Sequence, residues 1–149
     1  MRAFVSAGAG FLLAVLWFDL MFDVQVLRRP DGELAEQVLA SIAGYYRRVT
    51  TTASPMNRLV AAVMVLTLAA IIAQIAAGNA PAWAAWLSLA LAAAPIGVAG
   101  ARTVPSAVRL GARADPPARQ SMLARAICRQ HLFCFASIAA LLAVQLAAA

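Results

Sequence analysis

Four long apolar stretches constrain this chain more than any other feature of its sequence. A helix of about 20 apolar residues matches the hydrocarbon core of a bilayer. Hydrophobic residues make up 64% of the 149-residue chain, whereas about half is usual for a soluble domain. We therefore predict an all-α integral membrane protein that forms a single domain, with four transmembrane helices in one bundle. The predicted spans cover residues 3–27, 59–77, 82–101 and 126–147.

The basic residues predict how the chain is oriented. All 12 are arginines, and the formal net charge is +6. Most lie in or beside the segments that join spans one to two and three to four, whereas the segment GNAPA between spans two and three is uncharged. Cytoplasmic loops of membrane proteins are enriched in Lys and Arg, so we expect both long Arg-rich loops in the cytoplasm and both termini outside.

This placement of the arginines favours a topology signal over a nucleic-acid-binding patch. Contacts with anionic membrane lipid are a further expectation, because basic segments beside spans attract such lipids. The absence of lysine and the abundance of alanine and arginine are compatible with a GC-rich bacterial genome. The expected location is accordingly the cell membrane, and specifically a bacterial inner membrane.

The segment between the first two spans predicts a shorter helix over residues 32–50. Apolar residues recur there with helical spacing, and acidic residues lie near its start and arginines near its end, as the helix dipole favours. This pattern is typical of an amphipathic helix lying on the cytoplasmic membrane surface. Tyr45 and Tyr46 would then lie at the depth of the lipid headgroups, where rings with a polar end are favoured.

Two aspartates inside the first span are the strongest candidates for a functional site. Asp19 and Asp23 are four residues apart and therefore share one face of a helix. Inserting a carboxylate at the centre of a bilayer costs about 2.5–3.5 kcal/mol on insertion scales. Such a group normally faces a protein interior, a water-filled cavity or a cationic partner.

The start of the fourth span offers partners for these aspartates at a similar depth. One alternative is an ion-pair ladder to Arg129, together with Arg125 or Arg58, and Asn57 beside Arg58 would contribute to the same ion-pair or substrate site. The other alternative is a pairing with His131, which could relay protons near neutral pH. Arg129 and His131 point about 200° apart on a helix. The ladder is the expected pairing, because an unpaired arginine or carboxylate in lipid is very unfavourable.

Neither a metal nor a cofactor is indicated by the remaining residues. Cys128, His131 and Cys134 form a C-x-x-H-x-x-C run, but these positions spread over about 120° and 9 Å of rise, so one ion could not readily bind all three. A haem held by two histidines is excluded because the chain has one histidine. The sequence leaves any other cofactor unidentified.

Two classes of function are compatible with these patterns. The first is a small structural or accessory subunit whose helices pack against a partner protein or a second copy of the chain. The alternative is a membrane-embedded enzyme or a small proton-coupled carrier. In that alternative Asp19, Asp23 and His131 do the chemistry, and Arg129 or Arg58 binds an anionic group. Aspartates that are capped by arginine in dry packing favour the first class. Aspartates that point with His131 into an enclosed cavity with a route to lipid or cytoplasm favour the second.

Overall fold

The computed structural model describes residues 1–29, 31–52 and 54–148, and within these ranges every regular element is a helix. The all-α prediction is therefore confirmed for the described part of the chain. The six α-helices of this described part are α1 (Arg2–Asp23), α2 (Glu36–Arg47), α3 (Ser54–Ala76), α4 (Ala82–Val98), α5 (Val104–Ala112) and α6 (Pro117–Ala147). A short 3₁₀ turn follows α1, and short π turns follow α2 and α4.

Among the described residues, four helical segments are long and apolar enough to cross a membrane, and they overlap the four predicted spans. The third and fourth extend furthest beyond the predicted bounds. The third continues through the π turn Ala99–Thr103 into α5, and the fourth begins at Pro117, where proline is tolerated because a first-turn N–H has no helical partner. The four segments are Arg2–Arg28, Pro55–Ala76, Ala82–Ala112 and Pro117–Ala147.

The long helices surround one apolar core. α1 and α4 each contact both α3 and α6, so every long helix has two neighbours. Large apolar side chains also cover the outside of these helices, where Phe4 is 75% exposed and Leu66 is 66% exposed. A surface of this kind is unusual for a soluble monomer. The buried core residues are Val5, Ala9, Leu12, Ile71, Ala92, Ile138 and Leu141.

A buried polar contact joins three helices at the end of the bundle that holds both termini. The Gln145 side-chain amide donates to Ser88 Oγ at 2.8 Å, and its atoms lie 3.4–3.5 Å from those of Gln74. All three side chains are buried. Because their polar groups are partnered, this contact holds α3, α4 and α6 together without leaving unsatisfied amides in an apolar core.

The helix predicted over residues 32–50 exists as α2 and the π turn Arg48–Thr52, but its expected surroundings are wrong. Its apolar face packs on α5 and on the first turns of α6, where Leu39, Ile42 and Tyr46 are at most 2% exposed. The cause is the extra length of the third and fourth segments, which supplies a protein surface where lipid was expected. α2 and α5 thus form a cap over one end of the bundle.

Candidate functional site

Asp23 is the centre of the candidate site. It is the last residue of α1 and is 0% exposed. Its Oδ1 accepts a hydrogen bond from the Tyr46 hydroxyl at 2.6 Å, and its Oδ2 lies 2.6 Å from His131 Nδ1. Both carboxylate oxygens therefore have partners, as a buried charge requires.

His131 lies between the two aspartates. While its Nδ1 contacts Asp23, its Nε2 is 3.8 Å from Asp19 Oδ2. The His131 side chain is 9% exposed and that of Asp19 is 15% exposed, whereas that of Asp23 is fully enclosed. The imidazole thus separates an inner carboxylate from one that is nearer the surface.

Two adjacent tyrosines of α2 complete the site. The Tyr45 hydroxyl donates to Asp19 Oδ1 at 2.6 Å, and its ring stacks on Phe22 with centroids 4.1 Å apart. Burial raises the pKa of both phenols, and the neighbouring carboxylates raise it further, chiefly Asp19 for Tyr45 and Asp23 for Tyr46. Both hydroxyls therefore keep their protons near neutral pH and act as hydrogen-bond donors to the carboxylates.

The expected ion-pair ladder is wrong. Within the described residues, no arginine lies within 4.0 Å of either Asp19 or Asp23. Arg125 instead donates to the backbone carbonyls of Arg29 and Gly32, at 2.6–3.3 Å. These carbonyls follow the 3₁₀ turn after α1, where the chain leaves its helix and its acceptors need new donors.

The other predicted binding residues also lie away from the aspartates. Arg129 is exposed on α6, on a different side of the helix from His131, and it lines two open clefts. Arg58 is exposed, and the Asn57 amide donates to the Thr50 carbonyl at 3.2 Å. The structure thus brings together the three residues predicted to do chemistry, but none of the four predicted for the ion-pair or substrate site.

The two cysteines beside His131 are buried in apolar packing. Cys134 Sγ lies 3.7 Å from the Pro95 carbonyl, and Cys128 belongs to the core under α2. No group of three or more His, Cys, Asp or Glu side chains is placed to hold a metal ion in the part of the chain that the structure describes.

Sequence reasoning missed the tyrosines as site residues. Tyr45 and Tyr46 were expected at the lipid headgroups because α2 was placed on the membrane surface. A usable signal existed, since two neighbouring hydroxyls on one helix can reach two carboxylates spaced by one turn on another. The missing information was that α2 packs against α1 and α6.

The chemistry available to this arrangement is proton exchange. Histidine gains and loses a proton near neutral pH more readily than any other side chain, and here a carboxylate faces each ring nitrogen. No protein-family model, curated protein or solved structure matches the chain. The geometry of the site itself is therefore the basis for assigning a function.

Proposed function

We propose that this is an integral membrane protein of a bacterial inner membrane, with four spans, both termini outside and the Arg-rich segments in the cytoplasm. The four long apolar helices and their apolar outer surface support this placement. The distribution of arginine supports the orientation. The cap of α2 and α5 would then lie on the cytoplasmic side, with Asp19, Asp23 and His131 in the cytoplasmic half of the bundle.

We infer that the Asp-His-Tyr cluster, defined as Asp19, Asp23, Tyr45, Tyr46 and His131, takes up and releases a proton in a small proton-coupled carrier. One observation supports this most strongly: a buried imidazole lies between two carboxylates, and no arginine neutralises them among the described residues. Intramembrane acidic and histidine groups are characteristic of proton relays.

Each residue of the cluster has a distinct part in the proposed exchange. Asp19, the more exposed carboxylate, receives a proton from the cytoplasmic side and passes it to His131 Nε2. The gap of 3.8 Å must close by about 1 Å for a direct hydrogen bond. The result is an imidazolium between two carboxylates, with Asp23 holding Nδ1–H. Release follows the same transfers in reverse, but to the opposite side of the membrane once the helices have shifted, and Tyr46 keeps Asp23 in place throughout.

Coupling to movement would pass through α2. The two tyrosines tie α2 to Asp19 and Asp23 on α1 and to His131 on α6. Protonation of the cluster changes how strongly the carboxylates accept these hydrogen bonds. A shift of α2 and of the α5 helix packed on it is the expected response.

A second candidate function is the accessory subunit, and one observation favours it. Two open clefts in the described structure have volumes of about 150 and 280 Å³, and neither is lined by Asp19, Asp23 or His131. A carrier needs a substrate path to its proton site, whereas a subunit does not. In that case the hydrogen bonds of the Asp-His-Tyr cluster would only hold α1, α2 and α6 together.

Proton movement into vesicles distinguishes these two functions. Wild-type protein and Asp23→Asn are reconstituted in liposomes that contain a pH-sensitive dye, with potassium and valinomycin to hold the potential at zero. The outside is shifted from about pH 8 to about pH 6, across the range in which histidine titrates. We expect the wild type to acidify the interior at least about tenfold faster than Asp23→Asn, because the variant lacks the carboxylate that holds Nδ1–H and stabilises the imidazolium.

Asp115→Asn is the matched control, because it removes a carboxylate that pairs with Arg109 outside the cluster, and its rate should equal that of the wild type. Equal rates for wild type and Asp23→Asn would rule out the carrier and favour the accessory subunit.

Labelling of Asn79→Cys with an impermeant thiol reagent reports the orientation in vesicles and in intact cells. Background is low because Cys128 and Cys134 are buried.

A further inference from the structure

A second site candidate is an open cleft of about 280 Å³ on the outside of the bundle. One wall is the end of α4 with the π turn Ala99–Thr103, and the other is α6. Thr103 Oγ1 donates to Gln130 Oε1 at 2.9 Å and joins the two walls. The lining residues are Val98, Arg102, Ala126, Arg129, Gln130 and Phe133.

The cleft has a positive charge that nothing in the described structure neutralises. Arg102 and Arg129 contribute one guanidinium from each wall, and neither forms a salt bridge or a side-chain hydrogen bond among the described residues. No acidic residue lines the cleft. Since its Oε1 accepts from Thr103, Gln130 presents its amide N–H groups as further donors. Two arginines and an amide are a donor set suited to phosphate oxygens.

Apolar side chains lie beside these donors. Val98 and Ala126 line the same cleft, and Phe133, 46% exposed, lies one turn further along α6 than Arg129. An anion with attached acyl chains could therefore place its phosphate on the arginines and its chains along Phe133. A small soluble anion would use the arginines but would leave the apolar wall uncovered.

We propose that this cleft binds the phosphate of an anionic phospholipid in the cytoplasmic leaflet. Basic pockets between membrane helices on the cytoplasmic side are suited to such headgroups. The proposal rests on the membrane placement proposed above, but it does not depend on proton exchange at the Asp-His-Tyr cluster. It also gives Arg129, which does not contact the aspartates, a partner of the opposite charge.

Retention of lipid by the purified protein tests this site. The protein is reconstituted in nanodiscs with equal amounts of phosphatidylglycerol and phosphatidylcholine, extracted in mild detergent and examined by native mass spectrometry. We expect the wild type to retain phosphatidylglycerol preferentially. The double variant Arg102→Gln/Arg129→Gln should lose this retention by about tenfold or more, since each arginine that contacts the bound headgroup contributes about 1 kcal/mol.

The control is Arg28→Gln/Arg58→Gln, which removes the same charge from exposed arginines that line neither cleft. It should retain phosphatidylglycerol as the wild type does. Equal losses in the two double variants, or equal retention of both lipids, would overturn the site. So would retention of inorganic phosphate at the same stoichiometry, which would identify a soluble anion. Release of the chain from membranes by alkaline carbonate would instead refute the membrane placement.

Discussion

Replacement of Asp23 by alanine should lower the free energy of unfolding by about 3–5 kcal/mol, the cost of breaking a buried ionic pair from one side. The substitution leaves His131 Nδ1 and the Tyr46 hydroxyl in a site where Asp23 is 0% exposed, so water cannot readily replace the lost acceptor. Unfolding by sodium dodecyl sulfate in mixed micelles, followed by circular dichroism, measures the change. We expect this loss of stability whether the Asp-His-Tyr cluster exchanges protons or only holds α1, α2 and α6 together.

Asp23→Asn separates stability from charge. Its amide oxygen can still accept from Tyr46 and its amide nitrogen can donate to a neutral His131, so we expect a loss of only about 1–2 kcal/mol. Asp115→Ala is the control outside the cluster: the Arg109 side chain is 53% exposed, so even this bidentate pair should contribute little to stability. Wild-type stability of Asp23→Ala would show that the described contacts of the buried carboxylate are wrong.

Gly111→Ala should also destabilise the protein, by about 1–3 kcal/mol as for other overpacked sites. A Cβ at position 111 would lie 2.8 Å from the backbone nitrogen of Arg47 and 3.0 Å from its Cα. Backbone atoms cannot rotate out of the way, so α5 must move from α2. Because α2 also provides Tyr45 and Tyr46, the same change should weaken their hydrogen bonds to the aspartates.

The matched control for this close approach is Gly44→Ala on α2 itself. A Cβ there meets nothing within 4 Å, so alanine should be neutral or should stabilise the helix by up to about 1 kcal/mol. The same denaturation in mixed micelles compares the two variants. If Gly111→Ala were as stable as Gly44→Ala, the packing of α5 on α2 would have to be looser than described.

The long helices could be predicted from the sequence because hydropathy alone defines them. The surroundings of α2 could not, because an apolar helix face has the same residue pattern whether it packs on lipid or on protein. Leu39 and Ile42 are buried by α5 and α6, and no local signal near residues 36–47 reveals that contact. The segment that forms α5 suits either a short interfacial helix or an irregular loop, because it contains arginines and Pro105, and the sequence alone leaves both alternatives open.

The candidate site was predictable in its acids and its histidine, but not in their pairing. The expectation of a ladder considered the cost of an unpaired arginine in lipid. It did not consider that a long side chain near the end of a span can reach water or backbone carbonyls instead. Arg125 does so through the carbonyls of Arg29 and Gly32. Asp19 and Asp23 pair instead with His131 and with Tyr45 and Tyr46. The positions of the two tyrosines depend on how α2 packs.

The central claim is that His131 gains and loses a proton between two carboxylates. Because the chain has one histidine, ¹⁵N-histidine labelling gives a spectrum of that residue alone in nanodiscs. Between about pH 5 and pH 10 we expect the two ring-nitrogen signals of the wild type, which lie close together in the imidazolium, to separate with one common midpoint as His131 becomes a single neutral tautomer. In Asp23→Asn the curve of ring-nitrogen chemical shift against pH should be displaced along the pH axis. Signals of a single unchanged protonation state across that whole range would contradict the claim.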